Sequence, residues 1–142
     1  MILVLAAVLL TGCIGAASAQ NIGEITISGI TEPVAGAMPD TKNPTIFPSN
    51  VTAGSISWKI DGGGDVSGKF GYNTVYVAEF PISVKDYDNF TTVSANDDAK
   101  VTGDDPKTRT VQMKFPKTES EPEPTEIASI KLTLTAPATG NA

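Results

Sequence analysis

The chain of 142 residues contains no histidine and a single cysteine. Without histidine, Ser-His and Cys-His catalysis and every metal site that needs an imidazole ligand are excluded. One cysteine excludes a disulfide within the chain and any zinc site built from several cysteines of one chain. Since these are the commonest catalytic and metal-binding groups, we expect no enzymatic activity and no cofactor.

Positive charge is also scarce, with 10 Lys and Arg against 16 Asp and Glu and a net charge of −6. An acidic surface repels phosphate backbones, so we expect no nucleic-acid partner. Charged residues make up 18% of the chain, below the roughly 25% of typical soluble domains. The 13 Gly and 10 Pro, together with plentiful Thr, Ser and Val, are typical of a turn-rich β protein.

The first 19 residues have the pattern of an export signal. Residues 2–10 form an apolar run that is too short for a membrane span of about 20 residues and suits a signal-peptide core. The residues after this run fit two processing sites. Residues 17–19 match the A-x-A cleavage pattern, whereas residues 10–13 resemble the lipobox of bacterial lipoproteins, in which Cys13 carries the lipid. We favour cleavage after Ala19, and we expect contact with a membrane only through this signal or lipid anchor.

Between residues 22 and 115, short apolar strands alternate with turn signals. Apolar residues recur with a period of two at 25–27, 56–60, 76–84 and 111–115, which places each set on one face of a strand. Clusters of Asp, Asn and Gly separate these sets, and no window has the 3.6-residue apolar period of a capped helix. Residues 20–117 are therefore predicted to form an all-β domain, an antiparallel β-sandwich of about seven strands.

Six large side chains make up the expected core of this sandwich. They are Trp58, Phe70, Tyr76, Phe80, Met113 and Phe115. Aromatic residues could instead line a sugar-binding platform, but alternating strand positions are more typical of a core. Trp58 should lie between the sheets near Tyr76 or Phe80, because positions 56, 58 and 60 are apolar and the positions between them are polar. Tyr72 and Tyr87, which are near turns, are the aromatic residues expected to be exposed.

The composition changes after the predicted sandwich. Residues 118–126 alternate Pro and Glu, which favours an extended, semi-rigid linker. Residues 127–142 then repeat the pattern of the start of the domain, so we expect them to be the first strand of a truncated second repeat in a longer protein. The matching pairs are Ile25 with Ile130, Ile27 with Leu132, Pro33 with Pro137 and Gly36 with Gly140.

Three stretches carry a resemblance to a known family. They are the Pro-Val-Ala-Gly corner within residues 27–40, Ser57-Trp58 on a middle strand, and residues 69–90, where a Phe precedes a Tyr-Val-Ala strand that ends in an aromatic-rich turn. Together they resemble the immunoglobulin-like repeats that large bacterial cell-surface proteins carry in tandem. The resemblance covers residues 22–115 and implies an immunoglobulin-like β-sandwich. The longer insert at 43–52 and the turn at 86–88 depart from the usual pattern, so either could hold a local site.

The function implied by this resemblance is a non-enzymatic, extracellular stalk or spacer module of a surface protein, which in some cases adheres. A first alternative is an accessory module that binds a glycan or another protein, and an exposed cluster of aromatic residues on one face would favour it. A second alternative is a filament subunit in which residues 127–136 act as a donor strand for a neighbouring copy. The sequence names neither the surface protein nor the glycan that would be the partner.

Six aspartates in three turns are the candidates for binding calcium. They are Asp86, Asp88, Asp97, Asp98, Asp104 and Asp105. Calcium takes six to eight oxygen ligands, which clustered loop carboxylates can supply. The spacing of an EF-hand is absent, however, and Asp is an ordinary turn residue with its own hydrogen-bonding reason to be there. We therefore expect no bound calcium.

Residues 63–69 match most of a phosphate-binding loop. Phe70 occupies the position of the Ser or Thr that would bind magnesium, and the expected strand after it provides no helix N-terminus for a phosphate. We therefore interpret this segment as a glycine-rich hairpin loop.

Overall fold

The computed structural model describes residues 18–125, which form eight β-strands and no helix. The strands are β1 (Asn21–Ser28), β2 (Thr45–Phe47), β3 (Val51–Ala53), β4 (Ser57–Ile60), β5 (Tyr76–Val84), β6 (Asn89–Ala95), β7 (Lys100–Thr102) and β8 (Thr108–Lys114). The predicted export signal with Cys13, and the predicted second repeat at 127–142, lie outside the described residues. Residues 18–125 include no helix of the length and apolarity needed to cross a bilayer.

The strands form two sheets, which confirms the all-β class and is consistent with the predicted sandwich. The smaller sheet has the order β2-β1-β6, and the larger has the order β3-β5-β8-β7 with β4 also paired to β5. Every pairing is antiparallel except that of β1 with β6, which is parallel. The described residues therefore contain one strand more than expected and one mixed sheet, which the alternation of apolar residues does not reveal.

β5 organises the larger sheet. It pairs with β8 along one edge, while β4 and β3 share its other edge in succession. The register passes from Ala53↔Ile82 to Ser57↔Glu79, so one extra residue lies on the β3–β4 side, as in a β-bulge. This interruption lies opposite Pro81, which has no N–H to give to a ladder, and the N–H of Gly54 donates to the Pro81 carbonyl at 2.8 Å.

The core lies between the sheets and contains the six side chains expected there. The Trp58 ring, 4% exposed, contacts Phe70 edge-on at 5.1 Å between centroids and Phe115 at 5.3 Å. Phe70 in turn lies 4.7 Å from the Tyr76 ring. The Trp58 Nε1 donates to the carbonyl of Asp40 at 2.6 Å, so burial of the indole leaves its polar group satisfied.

Ile60 departs from the expected alternation. Although it shares the parity of Trp58, its side chain is 42% exposed. β4 ends at Ile60, and the chain turns there, with the N–H of Gly63 donating to the Ile60 carbonyl at 2.8 Å. The facing sheet no longer covers a side chain at the end of the strand.

The chain enters the domain at one end and leaves at the other. The entry end contains Gln20, the 48–50 turn, the β5–β6 turn and the β7–β8 loop, since Asn89 N–H donates to the Gln20 carbonyl and Val84 N–H to the Lys107 carbonyl. β1 and β8 both run away from this end. The exit end contains the turn that precedes β5, where Phe115 N–H donates to the Tyr76 carbonyl.

Candidate functional site

The structure divides the six calcium candidates between the two ends of the domain. Asp86 and Asp88 lie in the β5–β6 turn and Asp104 and Asp105 in the β7–β8 loop, all at the entry end. Asp97 and Asp98 lie in the β6–β7 turn at the exit end, where Asp97 lines the same cavity as Ile27 and Phe115. Among residues 18–125, no three His, Cys, Asp or Glu side chains come together in a way that could hold a metal ion.

A lysine already bridges the two acidic turns of the entry end. The Lys107 Nζ donates to the carbonyls of Asp86 at 2.8 Å and Asp88 at 2.6 Å. Asp105 folds back on its own loop, where Oδ1 accepts from the N–H groups of Lys107 at 2.7 Å and Thr108 at 3.0 Å. These hydrogen bonds hold the pKa of Asp105 below its ordinary value. The Lys107 ammonium group thus occupies the carbonyl oxygens of Asp86 and Asp88, which a calcium ion in this turn would use as ligands.

The exit-end aspartates have a conformational role. Asp97 and Asp98 have φ angles of 53° and 55°, in the left-handed region that Asp and Asn adopt more readily than most residues. They allow β6 to reverse into β7. These two residues are therefore explained by the turn that they form, without a ligand.

The Asp88 cluster, made of Gln20, Asn50, Asp88 and Lys107, is the most connected polar group at the entry end. Asp88 is 8% exposed. Its Oδ1 accepts from the backbone N–H of Gln20 at 2.9 Å and its Oδ2 from Asn50 Nδ2 at 2.7 Å. These hydrogen bonds hold the pKa of Asp88 below its ordinary value, and the bond from the Gln20 N–H has a larger effect than the bond from Asn50. The carboxylate thereby joins the segment before β1, the 48–50 turn and the β5–β6 turn.

Sequence reasoning assigns Asp88 to a turn and leaves Gln20, Asn50 and Lys107 without a role. Their separations along the chain explain this, because Gln20 and Asp88 are 68 residues apart and Asn50 and Asp88 are 38 apart. No motif spacing connects them. The one local signal is the A-x-A pattern, which ends directly before Gln20.

An amide side chain extends the parallel pairing at the exit end. Asn96 Oδ1 accepts from the Ile27 N–H at 2.6 Å, and Asn96 Nδ2 donates to the Ile27 carbonyl at 3.1 Å. These two bonds replace those that two residues of a longer β6 would make to Ile27, because in a parallel ladder the N–H and the carbonyl of one residue bond to different residues of the partner strand. Asn96 therefore lets β6 leave the sheet while the backbone of Ile27 stays satisfied.

Two aromatic residues are strongly exposed, Phe47 at the end of β2 and Tyr87 in the β5–β6 turn. Phe47 is 70% exposed and Tyr87 69% exposed, whereas Tyr72, at the exit end, is 40% exposed. The turn after Phe47 carries Asn50, which is hydrogen-bonded to Asp88, the residue after Tyr87. Tyr72 and Tyr87 are the exposed aromatic residues that the sequence predicts. Phe47 is missed because β2 has only three residues, too few to show an alternation.

The segment that resembles a phosphate-binding loop forms a tight turn. Ile60 N–H donates to the Gly64 carbonyl at 3.0 Å, and Val66 N–H to the Trp58 carbonyl at 2.8 Å. Asp65 forms an antiparallel bridge with Lys59. Residues 65 and 66 therefore run back alongside β4 in the antiparallel direction, as expected for a hairpin loop.

A groove of about 380 Å³ lies between β6 and β7. Arg109, only 9% exposed, borders it. The guanidinium carbon lies 5.7 Å from the centre of the Phe90 ring, and Nη1 donates to the Thr108 carbonyl at 3.1 Å. This cation–π contact and hydrogen bond stabilise the buried charge, so the geometry assigns Arg109 a structural role.

No protein family, curated protein or solved structure matches the chain. The functional interpretation therefore depends on the architecture of the domain, on its two ends and on the Asp88 cluster. The immunoglobulin-like resemblance stays a prediction.

Proposed function

We propose that the protein is a non-enzymatic spacer module of an extracellular bacterial surface protein, with an immunoglobulin-like β-sandwich as its folded unit. The observation that carries the proposal is the placement of the chain's entry and exit at opposite ends of the sandwich. Modules with this geometry, joined in series, extend a protein along one direction. A domain whose two chain ends lie side by side would instead project sideways from the protein and add little to its length.

The exit from the domain is fixed by hydrogen bonds. Thr118 is 6% exposed, and its Oγ1 donates to the Gly71 carbonyl at 2.8 Å and accepts from the Thr74 N–H at 3.0 Å. Thr118 N–H donates to the Thr74 carbonyl, and the Glu119 carbonyl accepts from Asn73 N–H at 2.9 Å. The sequence predicts that the domain ends at residue 117, but hydrogen bonds fix the backbone to the domain as far as residue 119.

The segment beyond this anchor suits a spacer. Residues 119–125 are exposed and belong to no strand, and their Pro-Glu alternation favours an extended and semi-rigid chain. Because Thr118 sets the point from which this segment departs, a following module would be held away from the first. The acidic side chains also repel one another, which further favours extension.

The direction of the strands also suits a load-bearing module. Tension applied between residues 20 and 118 runs along β1 and β8, and the hydrogen bonds of β1 to β2 and β6 lie across that direction. Several bonds must therefore break together before β1 can slide. Pulling the mature chain by its two ends should give one cooperative rupture, whereas stepwise extension at low force would contradict a load-bearing role.

The strong exposure of Phe47 and Tyr87 favours a second candidate function, binding of a glycan or a protein. An exposed aromatic ring can stack on a sugar or anchor a protein contact. Binding of the mature chain to a panel of bacterial cell-wall glycans tests this function. Loss of binding in the Phe47→Ser/Tyr87→Ser double variant, with binding kept in Tyr72→Ser, would support it. If the mature chain and both variants give the same binding result, Phe47 and Tyr87 form no binding site and only the spacer function is supported.

The donor-strand alternative concerns residues 127–136, outside the part of the chain that the structure describes. Size-exclusion chromatography of the mature chain and of a version that ends at Thr125 tests it. A chain that ends at Thr125 keeps the Thr118 anchor, so any difference between the two proteins reports on the removed segment alone. Polymers formed only by the longer chain would support a filament subunit, and two monomers would support the spacer.

A further inference from the structure

Among residues 18–125, Gln20 is the first that the fold holds by hydrogen bonds. Its N–H donates to Asp88, its carbonyl accepts from Asn89 N–H at 2.9 Å, and its Oε1 accepts from Asn50 Nδ2 at 3.0 Å. Ser18 and Ala19 are exposed and belong to no strand. The Ala19–Gln20 peptide bond therefore separates the exposed residues 18–19 from the hydrogen-bonded domain. The A-x-A pattern of residues 17–19 ends at this same bond.

Hydrolysis of this bond would change the chemistry of the group that faces Asp88. The hydroxyl of water adds to the carbonyl carbon of Ala19, which becomes a carboxylate, and the amide nitrogen leaves with Gln20 as an amine. An α-amino group is protonated at neutral pH, with an ordinary pKa of about 7.7–8.0. A neutral N–H donor 2.9 Å from the Asp88 carboxylate would thus become a positively charged donor at the same place.

We propose that Asp88 is the docking site for the α-amino group that removal of the leader creates at Gln20, so that cleavage by an A-x-A-type signal peptidase completes an ion pair in the folded domain. The carboxylate is nearly buried and already oriented toward this nitrogen. The bond from the amide already has an ionised acceptor, and a positively charged donor adds the Coulomb attraction between two opposite unit charges. The mature N-terminus is then a structural element of the entry end.

The charged surroundings fit this assignment. Lys107 directs its Nζ to the carbonyls of Asp86 and Asp88, which leaves both carboxylate oxygens of Asp88 to Gln20 and Asn50. The 48–50 turn and residues 18–20 carry no charged side chain. The remaining titratable groups of the entry-end turns are Lys85, Asp86, Tyr87, Asp104 and Asp105.

The proposal separates the two processing sites left open by the sequence. If the mature chain began at Cys13, residues 13–19 would precede Gln20 and its nitrogen would stay a neutral amide. Of the two cleavages, only the one after Ala19 turns the Gln20 nitrogen that faces Asp88 into a cation. N-terminal sequencing of the secreted protein should therefore begin at Gln20, and a chain that begins at Cys13 would overturn the proposal.

A comparison of two chain lengths in two backgrounds tests the ion pair itself. One protein begins at Gln20 and the other at Ser18, each with Asp88 and with Asp88→Asn, and mass spectrometry checks that Gln20 has not cyclised. With Asp88 present, the unfolding equilibrium constant in urea at pH 7 should be roughly threefold to tenfold lower for the chain that begins at Gln20. The difference should disappear with Asp88→Asn. Equal stabilities of the two chains with Asp88 present would overturn the proposal.

The pKa of the α-amino group gives a readout that needs no substitution. In the folded chain that begins at Gln20, this pKa should lie above its ordinary range, because Asp88 favours the charged form. The added stability is then fully present below about pH 7.7 and is lost as pH rises through the folded pKa. Titration followed by NMR with ¹⁵N-labelled glutamine measures it, and a value at or below the ordinary range would contradict the ion pair. The Gln20→Thr variant, which cannot cyclise, serves for the same titration with ¹⁵N-labelled threonine.

Discussion

The carboxylate of Asp88 and the backbone nitrogen of Gln20 lie 2.9 Å apart, although 68 residues separate them in the chain. This hydrogen bond fixes the start of β1 against the β5–β6 turn. At the other end of the domain, Thr118 is fixed against the turn before β5. Both points at which the chain enters and leaves the sandwich are therefore held by side chains, which is the arrangement that a module in series requires.

Acid should weaken the entry end through Asp88. Because hydrogen bonds from Gln20 and Asn50 lower the pKa of Asp88 in the folded state, its contribution to stability is full above the ordinary Asp pKa of about 3.9 and is lost as pH falls through the lower folded pKa. In urea titrations, wild type should be more stable than Asp88→Asn at pH 6, and the difference should shrink toward pH 2. Asp104→Asn, in the neighbouring loop, is the control. A difference between wild type and Asp88→Asn that is unchanged between pH 6 and pH 2 would contradict this role of the carboxylate.

Gly54 and Pro81 should be coupled in stability. A Cβ at position 54 would lie 2.7 Å from Pro81 Cγ, whereas a Cβ at Gly64 would meet no atom within 4 Å. Gly54→Ala should therefore lower the free energy of unfolding by about 1–3 kcal/mol, and Gly64→Ala should change it far less. Pro81→Ala should recover part of the loss when combined with Gly54→Ala. Strictly additive effects in urea unfolding would show that the two residues do not interact.

The Asn96 side chain should stabilise the end of β1. Asn96→Ala removes both hydrogen bonds to the Ile27 backbone and should cost about 1–3 kcal/mol. Asn96→Asp keeps an acceptor for the Ile27 N–H but loses the donor to its carbonyl, so it should fall between wild type and Asn96→Ala. Hydrogen exchange at the Ile27 amide provides the local measurement. Unchanged protection of this amide in Asn96→Ala would contradict the assigned pairing.

Calcium should not stabilise the domain. The six aspartates lie at opposite ends, and Lys107 takes the carbonyls of the β5–β6 turn. A ligand that binds only the native state raises its stability by mass action, so melting temperatures with calcium and with a chelator should coincide. A calcium-dependent rise in melting temperature that disappears with Asp86→Asn would reverse this conclusion.

The alternation of apolar residues predicts the parts of the fold in which strands are long. Tyr76, Ala78, Phe80 and Ile82 are all buried along β5, as a period of two requires. The same rule fails at Ile60, because a strand that ends leaves its last side chain uncovered. The pattern is thus reliable in the middle of a strand and weak at its ends.

Other features depend on pairs of distant residues, which one sequence does not connect. Pro81 argues against a central strand when read alone, yet β5 is central because the bulge at Gly54 accommodates it. The Gln20–Asp88 bond and the parallel pairing of β1 with β6 are likewise set by the assembled sandwich. The sequence therefore predicts the class of fold and its core, whereas the entry-end cluster requires the structure.

Small-angle X-ray scattering of two joined copies of residues 20–125 tests the spacer function most directly. The nine residues of β5 span about 30 Å, and residues 120–125 in an extended conformation add about 20 Å. The second copy should therefore increase the maximum dimension by about 50 Å, and replacing Pro122 and Pro124 by Gly should shorten this increase. A pair whose maximum dimension barely exceeds that of one copy, because the two domains pack side by side, would contradict the account.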